Sequence, residues 1–292
     1  MLRRSFLLAA AGLPFTSALA TAQGSGRVLT VLYAGSLVTL MEQAVGPAFN
    51  ATGDATFRGY AGGSNQLGNE IKGRLRRGDV FISASPKVNE ALSGPANGDW
   101  VSWFITFARS PLVIAYPASG RFASALTTKP WHEVLRTPGI RIGRTDPKLD
   151  PKGRLTVELM DKAAAFYHEP DLAHAVLGAP DNPAQVFPEE TLVGRLQSGQ
   201  LDVGFMYSTE VSDLHLPAIT LPPELALGAQ YMVTVLRDAP NPPLAERFAQ
   251  FLLGPRGSAL MREHGLDVVR PTIGGDPAAV PASIRSMVVA AR

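Results

Sequence analysis

Arg27-Val28-Leu29-Thr30-Val31-Leu32-Tyr33-Ala34-Gly35-Ser36-Leu37 is the stretch that decides the fold. Positions 27–34 have strand length and are almost continuously apolar and β-branched, the signature of a strand buried on both faces. Gly35-Ser36 stops it. Leu37, Leu40, Met41, Ala44, Val45, Ala48 and Phe49 then fall at helical spacing, which predicts an amphipathic helix over 37–49 with Ser36 as its N-cap. The same grammar returns immediately: strand 55–60, turn Ala61-Gly62-Gly63-Ser64, helix 65–76 with Leu67, Ile71 and Leu75 on its inner face, and strand 79–84. Strands alternating with helices at this spacing predict a parallel, doubly wound α/β sheet.

Two further apolar strands, 111–116 and 231–236, bracket a self-contained set of elements: strand 140–143, helix 155–167, helix 191–197 and strand 201–206. Helices 244–253 and 257–264 follow. The simplest arrangement is one lobe from 27–109 completed by 237–292, a second lobe from 110–236, and two chain crossings forming a hinge. A single large α/β domain is the alternative.

With 292 residues, 46% apolar and 18% charged, the chain is an ordinary globular protein, not a disordered, collagen-like or coiled-coil one. The absence of cysteine excludes thiolate zinc sites, iron–sulfur clusters, disulfide frameworks, cysteine nucleophiles and a lipid anchor on cysteine. Residues 1–23 combine a basic pair, Arg3-Arg4, an apolar run from Phe6 to Phe15, and small residues ending Ala18-Leu19-Ala20. This is the pattern of a secretory signal, 1–22, cleaved after Ala20 or Ala22, and it predicts a periplasmic protein. Arg3-Arg4-Ser5-Phe6-Leu7 further resembles a twin-arginine signal. The sequence pI near 9.0 reflects a net charge of only +2. Loss of Arg3 and Arg4 brings that charge to zero, so the field implies no nucleic-acid or membrane-surface partner and little long-range steering.

No G-x-S-x-G elbow, Walker loop, H-E-x-x-H or strand-to-helix G-x-G-x-x-G is present. Two hydroxyl-bearing turns stand out instead. Gly35-Ser36 and Gly63-Ser64 each sit at a strand's carboxyl end where a helix begins, offering a serine hydroxyl, unpaired backbone N–H groups and a positive helix end to an anion. Carboxyl edges of open α/β sheets are where ligands settle. Either serine alone is an ordinary N-cap. The second lobe carries Thr145-Asp146-Pro147-Lys148-Leu149-Asp150-Pro151-Lys152-Gly153-Arg154 and Pro188-Glu189-Glu190-Thr191 ahead of helices, and Phe205-Met206-Tyr207-Ser208 at a strand end.

Taken in order, Tyr33-Ala34-Gly35-Ser36-Leu37, Gly62-Gly63-Ser64, the 78–84 strand, Asp146-Pro147…Asp150-Pro151…Gly153, Ser198-Gly199 with Leu201-Asp202, and Met206-Tyr207 resemble the periplasmic molybdate/tungstate-binding proteins of ABC transporters, including their archaeal-type tungstate-binding branch. The resemblance spans most of the mature chain. It implies a class II periplasmic binding protein fold: two α/β lobes, each a mostly parallel sheet flanked by helices, joined by two crossing strands and closing on a tetrahedral oxyanion. The implied partners are that oxyanion and a membrane permease, with no cofactor and a monomeric chain. On the family pattern the Ser36 and Ser64 turns, with Gly35 and Gly63, bind from one lobe. The Lys152 and Glu189 backbone N–H groups and the Tyr207 hydroxyl bind from the other. In the tungstate-binding branch two carboxylates complete a six-coordinate metal, and Asp150 and Glu189 hold the matching positions. Lys152 and Arg154 stand where that branch often has cysteine and tyrosine, and the segment between Asp150 and Glu189 is shorter. Backbone donation at both positions survives these changes, and Lys152 is expected to add positive charge to the pocket. The alternatives are a receptor of the same fold for sulfate or an organic carboxylate, and an exported serine hydrolase using Ser36 or Ser64 with Tyr207 or Lys152 as base.

Overall fold

The 27–37 stretch forms a strand followed directly by a helical segment. In the computed structural model, which describes residues 27–53 and 55–290, β1 (Val28–Ala34) pairs in parallel with β2 (Thr56–Gly62) on one side and β3 (Val80–Ser83) on the other. The expected signal at 1–22 lies outside the described residues. Both faces of β1 are covered, as its composition requires: Leu29, Val31 and Tyr33 enter one apolar cluster, while Leu32 joins Leu67, Ile71 and Phe81 on the opposite face. The crossover segments are helical at 35–50 and at Ser64–Lys72.

The other strands are β4 (Trp103–Ala115), β5 (Ile142–Gly143), β6 (Val203–Tyr207), β7 (Ala218–Thr220), β8 (Gly228–Val235) and β9 (Asp267–Gly275). They extend the sheet in the order β2-β1-β3-β8-β4-β6-β5. Pairing is parallel within β2-β1-β3 and between β5 and β6, and antiparallel wherever β4 or β8 takes part. β4 is the structural bridge. Its early residues pair with β8 and β9, and Leu112–Ala115 pair with β6 and β7. The two predicted chain crossings are thus real strands, both longer toward their N-terminal ends than the apolar runs suggested.

Three local expectations change. β9 was not anticipated: Asp267–Gly275 contains Pro271 and ends in Gly274-Gly275, and it is half-exposed, so tertiary pairing with β4 makes it a strand. Leu75 is 80% exposed because the helix ends at Lys72, and Gly73 with left-handed Arg74 (φ 55°) turns the chain away from the core. The helix expected over 37–49 starts in a 3₁₀ turn at Gly35–Leu37 and contains a π segment at Met41–Val45.

Two buried carboxylates tie segments to the sheet. Asp79 accepts from Thr30 N at 2.8 Å and Asn241 N at 2.7 Å, tying the returning C-terminal segment to β1. Its neighbour helix Pro242–Leu253 packs Phe248 edge-on against Phe49 with ring centroids 5.1 Å apart. Asp202 takes Arg141 N at 2.8 Å and the guanidinium groups of Arg141 and Arg121, which secures the short β5–β6 edge. The turn after β2 lies opposite the start of the Pro151–Phe166 helix, with Gly63 against Leu149 and Asp150.

Candidate functional site

Ser36 and Ser64 lie in the helical turns after β1 and β2, but neither caps a helix. Gly63 holds the N-cap position of Ser64–Lys72, Ala34 precedes the Gly35–Leu37 turn, and neither start has a side-chain cap bond. The hydroxyls are used otherwise. Ser36 Oγ accepts from the Tyr231 hydroxyl at 3.0 Å, and Ser64 Oγ accepts from Ala84 N at 3.1 Å. With a lone pair already occupied, each buried hydroxyl is oriented to donate its own proton elsewhere.

The opposing side presses directly onto these turns. Gln66 N donates to Leu149 O at 2.9 Å, and Asn65 Nδ2 to Lys148 O at 3.1 Å, so the two sides are in closed contact. A Cβ on Gly35 would sit 2.6 Å from Glu189 Oε2; one on Gly63 would sit 2.6 Å from Leu149 O and 3.3 Å from Asp150 Oδ2. Glycine is required at both turns because a carboxylate and a backbone carbonyl occupy the space a side chain would fill. Glu189 and Asp150 therefore reach the two Gly-Ser turns with their side chains, next to each other. Glu189 is also the first residue of the Glu189–Gln197 helix, where its N–H has no intrahelical acceptor.

Tyr207, at the end of β6, is fully buried, and its hydroxyl has no hydrogen-bond partner; the same is true of Glu189 Oε2. An orphaned buried hydroxyl costs about 1–3 kcal/mol, so such an atom calls for an explanation. Burial, then Asp150, pushes the Tyr207 pKa well up, which keeps the hydroxyl a donor. Cavities of about 240 Å³, beside Gly35 and Ser36, and about 220 Å³, beside Gly63 and Asp150, flank the cluster and share Glu189.

The bacterial extracellular solute-binding proteins match this sequence over residues 29–267. The chain belongs to that family. Among relatives, the molybdate/tungstate-binding protein WtpA of Pyrococcus abyssi is 28% identical over 75% of this chain and 76% of its own. A putative ABC transporter molybdenum-binding protein of Haloferax volcanii is 30% identical over 77% and 72%. Of solved structures, the periplasmic molybdate-binding protein of Azotobacter vinelandii superposes with a TM-score of 0.63 at 19% identity, covering 82% of this chain and 98% of that one. The sulfate-binding protein SubI of Mycobacterium tuberculosis gives 0.62 at 15% identity, covering 91% of each. The fold is the two-lobed one of periplasmic binding proteins, and solute binding rather than catalysis is what the family does.

Within this solute-binding protein, two expectations about Lys152 are corrected. Its backbone N–H is engaged by Asp150 Oδ1 at 2.6 Å, because Asp150 caps the Pro151–Phe166 helix. Its ammonium adds no charge to the pocket: Nζ donates to Glu210 Oε1 at 2.8 Å and Oε2 at 2.9 Å, and forms an ion pair with Glu189 Oε1 at 3.1 Å, so its charge is balanced inside the protein. Burial disfavours the ammonium, but Glu210, Glu189 and Asp150 outweigh it and raise its pKa above the ordinary lysine value. Burial, then Asp150, raises Glu189 to about 8 despite Lys152. Burial likewise raises Glu210.

Glu210 and Tyr231 contact the candidate site residues Lys152 and Ser36 and were missed in the sequence. Glu210 was legible in part: it stands three residues after Tyr207 and accepts its N–H at 2.7 Å, the spacing of a helix-start box. Tyr231 comes from β8, 195 residues after Ser36, and no local pattern announces it. The serines pair with Tyr231 and Ala84, so neither has Lys152 or Tyr207 as a base.

Proposed function

We propose that this chain is a monomeric periplasmic receptor that closes on one molybdate or tungstate ion and delivers it to the permease of an ABC transporter. The observation that carries this reading is the set of unspent groups at the closed turns: the Ser36, Ser64 and Tyr207 hydroxyls as donors, with the Glu189 and Asp150 carboxylates beside them. A hydrogen bond to a charged group contributes about 1.5–3 kcal/mol, so three hydroxyls and the Glu189 N–H supply much of a submicromolar affinity.

The two carboxylates argue for a metal oxyanion over a simple one. Sulfate has no vacant coordination site, so it gains no ligand from Asp150 or Glu189, and the buried Asp150 carboxylate beside it repels it. A molybdenum or tungsten centre expanding to six-coordinate accepts both as ligands. The relatives named for molybdate and tungstate support the same cargo. Export through the 1–22 signal, by the twin-arginine route that Arg3-Arg4 suggests, delivers the receptor already folded.

Calorimetric titration of the purified mature chain with molybdate, tungstate and sulfate tests the reading. Submicromolar binding of one molybdate or tungstate per chain, with sulfate at least a hundredfold weaker, is expected. No heat with any of the three refutes it, and sulfate binding at equal affinity transfers the site to the simple-anion alternative.

A further inference from the structure

A second cleft straddles the junction of the two sides, about 330 Å³ in volume, and four cations line it: Lys72 and Lys87 from one side, Lys148 and Arg154 from the other. No aspartate or glutamate is among its lining residues. Lys72, Lys87 and Lys148 are exposed, and Arg154 is partly buried. Arg154 pairs with Glu158 at 3.0 Å, and Lys148 lies a loose 3.9 Å from Asp181. Among the described residues no ion pair engages Lys72 or Lys87. The cleft adjoins the site through the chain itself: Asn65, in its wall, follows Ser64, and Pro151 lies between Asp150 and Lys152.

We propose that this cleft is an anion-collecting vestibule, in which Lys72, Lys87, Lys148 and Arg154 on the two lips of the binding cleft speed capture of the oxyanion without touching it once bound. The proposal rests on the oxyanion reading of the adjoining site. The physical case is one of distribution. A mature chain with zero net charge has little long-range field, yet clustered like charges on low-dielectric walls focus the field locally and raise the concentration of counter-ions there. Inside, Lys152, the only buried lysine among the described residues, is held by Glu210 and Glu189, and Asp150 repels an arriving dianion. The long-range attraction that brings an anion to this site must come from outside it, and these lips carry the adjacent cations, Lys72 and Lys87 among them with no ion pair in the described residues. When the lobes part, Lys72 and Lys87 separate from Lys148 and Arg154, so both rims of the opening remain positive.

The test is Lys72→Gln/Lys87→Gln in the mature chain, with association and dissociation rates for tungstate and molybdate measured by kinetic calorimetry between 10 and 300 mM salt. Expected at low salt is an association rate lower by about three- to tenfold, a flatter salt dependence and an unchanged dissociation rate. An association rate and salt slope equal to those of the unmodified chain overturn the proposal. So does a loss that falls on the dissociation rate, which would place the lysines against the bound ion. If the unmodified chain takes up neither anion, the receptor reading fails and the vestibule with it; unmodified binding with unaltered variant kinetics defeats the vestibule alone.

Discussion

Replacing Lys152 with methionine separates two uses of a buried cation. In the structure its ammonium lies 2.8 Å and 2.9 Å from the two oxygens of Glu210 and 3.1 Å from Glu189, all three groups shielded from water. Lys152→Met leaves one carboxylate certain to be uncompensated, and breaking a buried pair from one side costs about 3–5 kcal/mol. At about 2–4 °C per kcal/mol for a chain of this order of size, differential scanning calorimetry of the ligand-free protein at pH 7 should find Tm lowered by about 6–20 °C. Burial already raises Glu210, and without the ammonium it titrates higher still, so the deficit shrinks at pH 5, where the carboxyl takes a proton. The double variant Lys152→Met/Glu210→Gln removes both charges while keeping an acceptor for Tyr207 N, and should recover more than half of the loss. A single variant that melts within about 2 °C of the unmodified protein while oxyanion affinity falls would refute the reasoning, because the lysine's charge would then belong to the ligand and not to Glu210.

Ser36→Ala and Ser64→Ala should each weaken oxyanion binding by about 10–150-fold in titration calorimetry, the loss of one hydrogen bond to a charged group; the ligand-free melt should fall as well, because Ser36→Ala leaves the buried Tyr231 hydroxyl, and Ser64→Ala the Ala84 N–H, without its partner at a cost of about 1–3 kcal/mol. Gly35→Ala puts a methyl 2.6 Å from Glu189 Oε2, so closure should fail; affinity should fall by more than either serine variant while circular dichroism stays native. The ligand-free protein should lose stability as pH rises from about 5 to above 8. Glu189 holds a proton up to about 8 when folded and releases it near its ordinary pKa when unfolded, so stability is full below the latter and declines toward the former; Glu189→Gln should flatten the thermal-melt curve over that range. In acid the sign reverses at Asp202. Burial would raise its pKa, but hydrogen bonds from Arg141 and Arg121 outweigh it and hold the carboxyl well below the usual range, so its contribution is present above the ordinary aspartate pKa and disappears only in strong acid.

Much of the fold was legible because its signals are local. The 28–34 run is a strand buried on both faces whatever it pairs with, and the Gly-Ser turns mark where strand becomes helix. Those periodicities, with the order of the turn motifs, determine the α/β class, the position of Ser36 and Ser64, and the acidic helix starts at Asp150 and Glu189. Tertiary structure decides what each group spends its bonds on. Ser36 reads as a cap until Tyr231 arrives from β8. Lys152 reads as a positive wall of the pocket until Glu210 and Glu189 surround its ammonium. Lys72, Lys87, Lys148 and Arg154 are scattered charges in a neutral sum until folding lines one cleft with them. The physical reason is range: helix, strand and turn preferences act over a few residues. Hydrogen-bond satisfaction, charge compensation and burial depend on partners that only the closed chain brings within reach.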